Sequence, residues 1–256
     1  HVVLLFSSCI IGPPNDQSVS GLPYSFEKVP LEGDFATLTD FKFLPNSAEF
    51  LAVSRIGKVG YFRLSKSKAV LVASFTIPDV KVEGDCGASS LQLDPYFKDN
   101  GLFYVGYCTS MQDNTVSRFT FDNQYFNAVL LSQREVISTQ ESRAVRPVHG
   151  VGSINFDNEG AMLIHFGEKG ITTNAQDMRS PLGKIIRLLP NRDPEGSGYD
   201  VPGDNPFLEG ESNPLVYAYG FRNPWRGVYG PCGAYWIAEV GSSRFEEINM
   251  LKPGAN

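Results

Sequence analysis

The stretch INFDNEGAMLIHFGE, residues 154–168, indicates which kind of fold this chain adopts. Short apolar runs lie on both sides of Asp157-Asn158-Glu159-Gly160, and this polar sequence can supply the left-handed backbone of a hairpin turn. The stretch therefore predicts two antiparallel strands joined by a tight turn.

The same design recurs at residues 41–64, 91–107 and 225–240. The hairpins are separated by roughly 50 to 70 residues, more than the ~40–50 of a minimal propeller blade, so insertions between strands are expected. The pattern predicts an all-β fold, a β-propeller with roughly four blades visible in this chain. The alternative is a β-sandwich, which the long insertions disfavour. One insertion, residues 191–214, is rich in Pro, Gly and Asp and is predicted to be a loop.

Composition narrows the class of protein. With 256 residues, 42% of them apolar, the chain can bury a large core. The net charge of −6 argues against nucleic-acid or anionic-membrane partners, which need a basic face.

The N-terminal part differs from the rest of the chain. Residues 1–35 are assigned to an N-terminal extension, with a signal or an edge strand, and residues 36–256 to the propeller. The apolar start, HVVLLFSSCIIG, is too short to span a bilayer as a helix. Either it is the hydrophobic part of a secretion signal or it forms a buried first strand.

The four cysteines are Cys9, Cys86, Cys108 and Cys232. They form no CxxC pair, which excludes zinc ribbons and thioredoxin-like redox motifs. Their even number permits two disulfides, and four buried thiols are the alternative.

Among the three histidines, His149 is the candidate for chemistry. Gly150 and Gly152 follow it in a turn-like segment, so a ligand could approach the imidazole closely, as a general base requires. The alternative is a histidine that only hydrogen-bonds a loop. His165 lies inside a predicted strand and is assigned to packing, and His1 is terminal.

A carboxylate and a guanidinium are further candidates. Glu168 ends the strand that contains His165, where it could orient His149; the alternative is a solvated charge pair with Lys169. Arg222 and Asn223 precede a proline, which holds them in extended or turn geometry. A planar guanidinium suits carboxylates and delocalised anions.

The segment EVGSSRFEEIN, residues 239–249, combines a glycine turn with Glu246 and Glu247. Oxygen-rich turns with carboxylates suit calcium, although the spacing of an EF-hand is absent.

Several segments taken together resemble one family, the pyrroloquinoline-quinone (PQQ)-dependent sugar dehydrogenases of the soluble glucose/aldose dehydrogenase type. This family also includes the hedgehog-interacting-protein-like propellers. The similar segments occur in the family's order, and they are LDPYFKDNGLFYVGYCT (93–109), HGVGSINFDNEGAMLIHFGE (149–168), AQDMRSPLGKIIRL (175–188), PGDNPF (202–207), YAYGFRNPWR (217–226), EVGSSRFEEIN (239–249) and KPGAN (252–256). The resemblance implies a six-bladed propeller.

The resemblance also implies roles for the candidate residues. His149 would be the general base that removes the sugar hydroxyl proton while hydride passes to PQQ. Glu168 takes the place of the family's aspartate beside the base. Arg222 and Asn223 would contact PQQ. The expected function is calcium- and PQQ-dependent oxidation of an aldose sugar.

The calcium roles follow in the same way. The carbonyl groups of Gly241 and Ser242 would hold the calcium that polarises PQQ, and Glu247 matches a ligand of a second calcium. Ser242 departs from the proline or glutamine of relatives. Asp94 replaces a histidine of the family pattern, and residues 83–95 lack its GLLG run.

These departures leave an alternative open, a non-catalytic binding or structural module on the same propeller. Its partner would be a protein or glycan ligand instead of a small sugar, and a subunit of a surface assembly is a further alternative. Either protein would be secreted, extracellular or periplasmic, with no transmembrane span and no nucleic-acid partner. Because an open propeller leaves strand edges unpaired, a longer natural protein is expected.

Overall fold

The computed structural model describes residues 29–109, 113–139, 146–230 and 232–256. The fold is all-β, as predicted, and the strands of the described residues are grouped into four sheets. Cys9 and residues 1–28 of the predicted N-terminal extension lie outside the described residues.

The first sheet has the spatial order β1-β5-β4-β3-β2, and only β1 and β5 pair in parallel. Its strands are β1 (Leu31–Glu32), β2 (Leu38–Phe43), β3 (Glu49–Ser54), β4 (Lys58–Leu64) and β5 (Ala69–Thr76). The second sheet is an antiparallel meander of β6 (Ala88–Leu93), β7 (Leu102–Cys108), β8 (Asn114–Thr120) and β9 (Arg134–Ser138). A short helix α1 (Phe97–Asn100) joins β6 to β7.

The third sheet contains β10 (Val151–Phe156), β11 (Met162–Phe166), β12 (Lys184–Pro190), β13 (Tyr199–Asp200) and β14 (Val216–Tyr219), with β13 and β14 both paired to β12. The fourth sheet consists of β15 (Pro224–Tyr229), β16 (Tyr235–Glu239) and β17 (Glu247–Met250). The 3₁₀ helices are Phe126–Ser132 and Thr172–Gln176. All four predicted hairpins form. The predicted loop 191–214 contains only the two-residue strand β13.

The sheets pack face to face around a common centre. Strand β2 lies against β6, β6 against β10, and β10 against β15. A separate apolar cluster fills each interface, with Tyr61 and Phe119 in the first, Tyr104 and Ile154 in the second, and Leu163 with residues of β16 in the third. Each inner sheet is therefore apolar on both faces, which is the arrangement of propeller-like folds.

Arg226, for which the sequence suggested no role, connects all four sheets. It lies on β15, and its Nη2 donates to the carbonyl oxygens of Thr39 on β2 and Ser89 on β6, each at 3.0 Å. Its Nη1 donates to the carbonyl oxygen of Gly152 on β10. Burial lowers the pKa of the guanidinium, while Asp40 opposes that shift. The centre of the fold is thus held by one cation that satisfies backbone acceptors of three neighbouring sheets.

The expectation of four buried thiols is wrong, and a second disulfide stays untested because Cys9 lies outside the described residues. Cys86 and Cys108 form a disulfide with a Cα–Cα distance of 5.5 Å. Within the described ranges Cys232 is unpaired and exposed. No helix in this part of the chain is long and apolar enough to cross a membrane.

Candidate active site

Strand register brings the candidate residues to one end of the sheets. Val151 at the start of β10 pairs with Phe166 at the end of β11, so His149 and Glu168 lie just beyond the same pair. In the fourth sheet Pro224 pairs with Glu239, which places Arg222 and Gly241 beyond that pair.

His149 and Glu168 form a buried pair. The imidazole Nδ1 is hydrogen-bonded to Glu168 Oε1, and the two residues are only 8% and 1% exposed. Glu168 Oε1 also accepts from the N–H of Gly170 at 3.0 Å. Lys169 is buried as well, so the alternative of a solvated charge pair is excluded. When Nδ1 of a neutral imidazole donates to the carboxylate, Nε2 is the nitrogen that can accept a proton.

The turn that carries His149 is tightly constrained. His149 has a left-handed backbone, with φ of 50°, which costs a non-glycine residue about 1–2 kcal/mol. A Cβ atom on Gly167 would lie 2.4 Å from the carbonyl oxygen of His149, so only glycine permits this approach. The predicted reason for Gly150 and Gly152 was wrong: a Cβ there would meet Cys108 Sγ at 2.8 Å and the Pro224 carbonyl oxygen at 2.1 Å. These two glycines make room for protein atoms.

Glu239 organises the turn that contains Arg222 and Asn223. Its Oε1 accepts from the backbone N–H groups of Arg222 at 2.7 Å and Asn223 at 3.0 Å. The carbonyl oxygen of Arg222 in turn accepts from the N–H of Glu168 at 2.9 Å. Burial raises the pKa of Glu239, and its two backbone hydrogen bonds oppose that shift. This chain of bonds connects the Arg222 turn directly to the His149–Glu168 pair.

Sequence reasoning missed the role of Glu239. The sequence does contain a signal for this role. Glu239 is the acidic residue at the end of the apolar segment AYWIAE, just before the glycine turn. Buried carboxylates at a strand end need donors, and an adjacent turn can supply them.

A cavity of about 390 Å³ lies beside this turn and is lined by Arg222, Glu239, Gly241, Glu247 and Asn256, among others. A second cavity of about 400 Å³ is lined by Asn223, Trp225 and Asp85, among others. Two oxygens at this rim, Asn223 Oδ1 and Glu239 Oε2, are buried without a hydrogen-bond partner in the described structure. Unpaired buried acceptors are rare in proteins and call for a donor or a cation.

The predicted calcium loop folds back on itself. The N–H of Gly241 donates to Glu246 Oε2 at 2.9 Å, and a Cβ on Gly241 would lie 1.6 Å from the Phe245 carbonyl oxygen. Glu247 starts β17 opposite Glu239, and the exposed Ser242 lies within the loop. Over the described residues no group of three or more His, Cys, Asp or Glu side chains could hold a metal ion.

The family model for glucose/sorbosone dehydrogenase matches residues 35–256. The chain belongs to the glucose/sorbosone dehydrogenase family. This confirms the resemblance to PQQ-linked sugar dehydrogenases on which the sequence interpretation rested.

Two relatives illustrate the range of this family. The chain is 25% identical over 217 residues to aldose sugar dehydrogenase YliI of Escherichia coli, covering 84% of this chain and 56% of that protein. It is 32% identical over 206 residues to the HIPL2 protein of Arabidopsis thaliana, covering 72% of this chain and 29% of that protein. The chain thus spans about half or less of the length of these relatives.

Solved structures agree on the fold. The soluble aldose sugar dehydrogenase of Escherichia coli in its apo form matches with a TM-score of 0.74 and 25% identity, covering 86% of this chain and 62% of that chain. The PQQ-bound aldose sugar dehydrogenase of Streptomyces coelicolor matches with a TM-score of 0.72 and 22% identity, covering 90% and 64%. At this lower identity the second likeness supports the fold alone.

Proposed function

We propose that this protein oxidises an aldose sugar with PQQ and calcium, and that His149 is the general base. The observation that carries the proposal is the buried hydrogen bond between His149 and Glu168, joined through the Glu168 N–H to the turn of Arg222. The whole protein would be a secreted six-bladed propeller, as the family resemblance implies.

The residues at the rim suit an anionic quinone. PQQ carries carboxylates, and the Arg222 guanidinium lines the cavity of about 390 Å³ beside Glu239 and Gly241. The unpartnered oxygens of Asn223 and Glu239 would take a donor or a cation. When bound, PQQ would accept hydride and calcium would polarise its reactive carbonyl group.

The protein's own contribution is proton transfer. Glu168 holds the imidazole by Nδ1, which leaves Nε2 to accept the proton of the anomeric hydroxyl group of the sugar. The imidazolium formed in this step would be stabilised by the Glu168 carboxylate, as in other pairs of a base and an orienting acid. The low exposure of both residues excludes water and strengthens this interaction.

Calcium would be held by carbonyl oxygens of the loop 241–245. We assign Gly241 and Ser242 to the cation beside PQQ and Glu247 to a second one, as the family pattern implies. Carbonyl and carboxylate oxygens are the ligands calcium prefers.

Reconstitution tests this proposal. The full-length protein is titrated with PQQ in the presence and absence of calcium, and sugar oxidation is followed with an artificial dye as electron acceptor. Wild type should bind PQQ and oxidise aldoses, and Arg222→Met should weaken PQQ binding at least tenfold, since a charge-assisted contact to a carboxylate is worth about 1.5–3 kcal/mol. Absence of PQQ binding at every calcium concentration would sink the proposal.

A second candidate is a non-catalytic binding module. The match of this chain to human Hedgehog-interacting protein, at 24% identity over 159 residues, favours it, because that protein is named for an interaction and not for a reaction. Such a protein would use the same rim for a protein or glycan ligand. Calorimetry distinguishes the two candidates, because this function predicts no heat of PQQ binding and tight binding of a macromolecular ligand.

A further inference from the structure

The Cys86–Cys108 disulfide lies directly under the turn that carries His149. Cys86 is two residues before β6, Cys108 ends β7, and both are at most 1% exposed. The backbone of Gly150 lies so close to Cys108 Sγ that a Cβ on this glycine would come within 2.8 Å of it. The disulfide therefore packs directly against the turn that carries His149.

Backbone hydrogen bonds connect the disulfide loop to the same turn. The N–H groups of Asp85 and Cys86 donate to the carbonyl oxygen of Pro147 at 2.9 and 3.3 Å. A longer contact of 3.4 Å runs from the N–H of His149 to Asp85 Oδ2. The segment that precedes His149 is thus attached to the residues around Cys86.

Lys169 connects the disulfide to the other member of the pair. It follows Glu168, is completely buried, and its Nζ lies 3.5 Å from both Cys86 Sγ and Cys108 Sγ. A buried ammonium group needs polar or polarisable neighbours, so its position fixes the backbone beside Glu168. The turn of His149 therefore packs against the disulfide through Gly150, and the backbone of Glu168 is joined to the disulfide through Lys169.

We propose that Lys169 and the Cys86–Cys108 disulfide form a redox-sensitive support that positions the His149–Glu168 pair. The inference rests on the proposed function only for the catalytic meaning of the pair. A thiolate of a dithiol reductant would attack one sulfur, and its second thiol would then release the protein. Cys86 and Cys108 gain two electrons and two protons as thiols, and the reductant becomes a cyclic disulfide.

Reduction would loosen the pair for two reasons. It removes the covalent bond between the Cys86 loop and the end of β7, so the loop holds Pro147 less firmly. The Lys169 ammonium would then contact two separate thiol groups that are free to move apart, instead of one fixed pair of sulfur atoms. Lys169 would therefore hold the backbone beside Glu168 less firmly.

The test measures the environment of His149 without any cofactor. Diethyl pyrocarbonate modifies accessible imidazoles, and peptide mass mapping gives the rate for each histidine separately. His165 is the internal control, because it is completely buried and hydrogen-bonded to Tyr235. The samples are wild type before and after dithiothreitol, the Cys86→Ala/Cys108→Ala double variant, and Lys169→Met. Arg118→Met is the matched control, a buried cation whose partners are carbonyl groups of residues 191–196.

The proposal predicts about a fivefold rise in the modification rate of His149 in the reduced protein, the double variant and Lys169→Met, the factor for roughly 1 kcal/mol of lost support. The modification rate of His165 should stay at its wild-type value in every sample. In Arg118→Met the rate of His149 should also stay at its wild-type value. Unchanged His149 rates in folded Lys169→Met and in reduced wild type would overturn it, even if the double variant fails to fold. The modification rate is measured without PQQ. The positioning role of Lys169 and the disulfide can therefore be confirmed even if the proposed function is wrong, and it can be overturned even if the proposed function is right.

Discussion

His149 and His165 carry the same side chain in two different environments, a turn and the interior of a strand. His149 lies in a strained turn just before β10, with one ring nitrogen on a carboxylate. His165 lies inside β11, with Nε2 at 2.8 Å from the Tyr235 hydroxyl group and Nδ1 at 3.2 Å from the Pro224 carbonyl oxygen. Burial lowers the pKa of His165 to about 3, so it stays neutral in the working range.

The difference shows that position along a strand decides what a histidine can do. His165, in the middle of a buried strand, has both ring nitrogens hydrogen-bonded to the fourth sheet, so it serves packing. His149 lies at a strand end where loops from two sheets meet, and residues on loops held by a rigid scaffold often carry binding and catalysis. Selective damage to one region should therefore spare the other.

Arg226→Met should have the largest effect, because it removes a support that both regions share. The Gly152 carbonyl group belongs to the strand that follows His149, and Gly227 beside Arg226 packs against the His165 ring. Losing the hydrogen bonds to three buried carbonyl groups should lower the free energy of unfolding by more than about 3 kcal/mol. Urea unfolding measures this change.

A matched control is Arg63→Met, which breaks an exposed pair with Glu49 and should change the free energy of unfolding little, because solvent screens such a pair. If Arg226→Met is as mild as this control, the central guanidinium does not hold the sheets together.

Glu168→Gln should damage only the His149 region. The amide keeps the size of the side chain, and its oxygen can keep both hydrogen bonds that Glu168 Oε1 accepts, but it loses the charge that stabilises the imidazolium. Dye-linked sugar oxidation should fall by roughly 10²–10⁴-fold, as expected for the loss of an effective base. Unfolding in urea should change little, since Glu168 Oε2 is buried without a partner in the described structure. If the free energy of unfolding fell as strongly as the activity, the carboxylate would instead serve to stabilise the fold.

His165→Gln should change only the response of stability to acid. The folded pKa of about 3 lies below the ordinary 6.5, so unfolding takes up a proton between these values. Wild type should therefore lose about 1.4 kcal/mol of stability per pH unit as pH falls from 6.5 towards 3, with no such slope above 6.5. The variant should lack this component, which urea unfolding at several pH values would show. An identical acid slope in both proteins would contradict the assignment.

Ser242→Ala should have the smallest effect. The proposed ligand at this position is a backbone carbonyl group, which alanine retains, so the calcium concentration for half-maximal PQQ binding should change by less than about twofold. Glu247→Gln removes a carboxylate and should weaken the calcium response. A large effect of Ser242→Ala would mean that the hydroxyl group contributes to the site.

Much of the fold could be predicted from local patterns. The turns at residues 94–101 and 157–160 lie between apolar runs of fixed parity, so each hairpin follows from neighbouring residues alone. The family resemblance predicts that His149 and Arg222 serve one site; a hydrogen bond from the Glu168 N–H to the Arg222 carbonyl group links their two turns, and the shared site stays a prediction.

What escaped prediction depends on contacts between sheets. The role of Glu239 requires knowing that it pairs with Pro224, and the role of Arg226 requires the positions of strands distant in sequence. The disulfide depends on the register of β6 and β7, in which Ala88 pairs with Tyr107 and a bulge follows. Sequence spacing alone does not contain these relations.

The central claim is that His149, and not His165, moves the proton of the sugar. Its most direct test is a single turnover: protein loaded with PQQ and calcium is mixed with excess aldose, and the absorbance of the quinone is followed in wild type, His149→Ala and His165→Gln. Our account predicts that His149→Ala still binds PQQ but reduces it about 10²–10⁴-fold more slowly, while His165→Gln keeps a rate close to wild type. A wild-type rate in His149→Ala, with PQQ bound, would contradict the account.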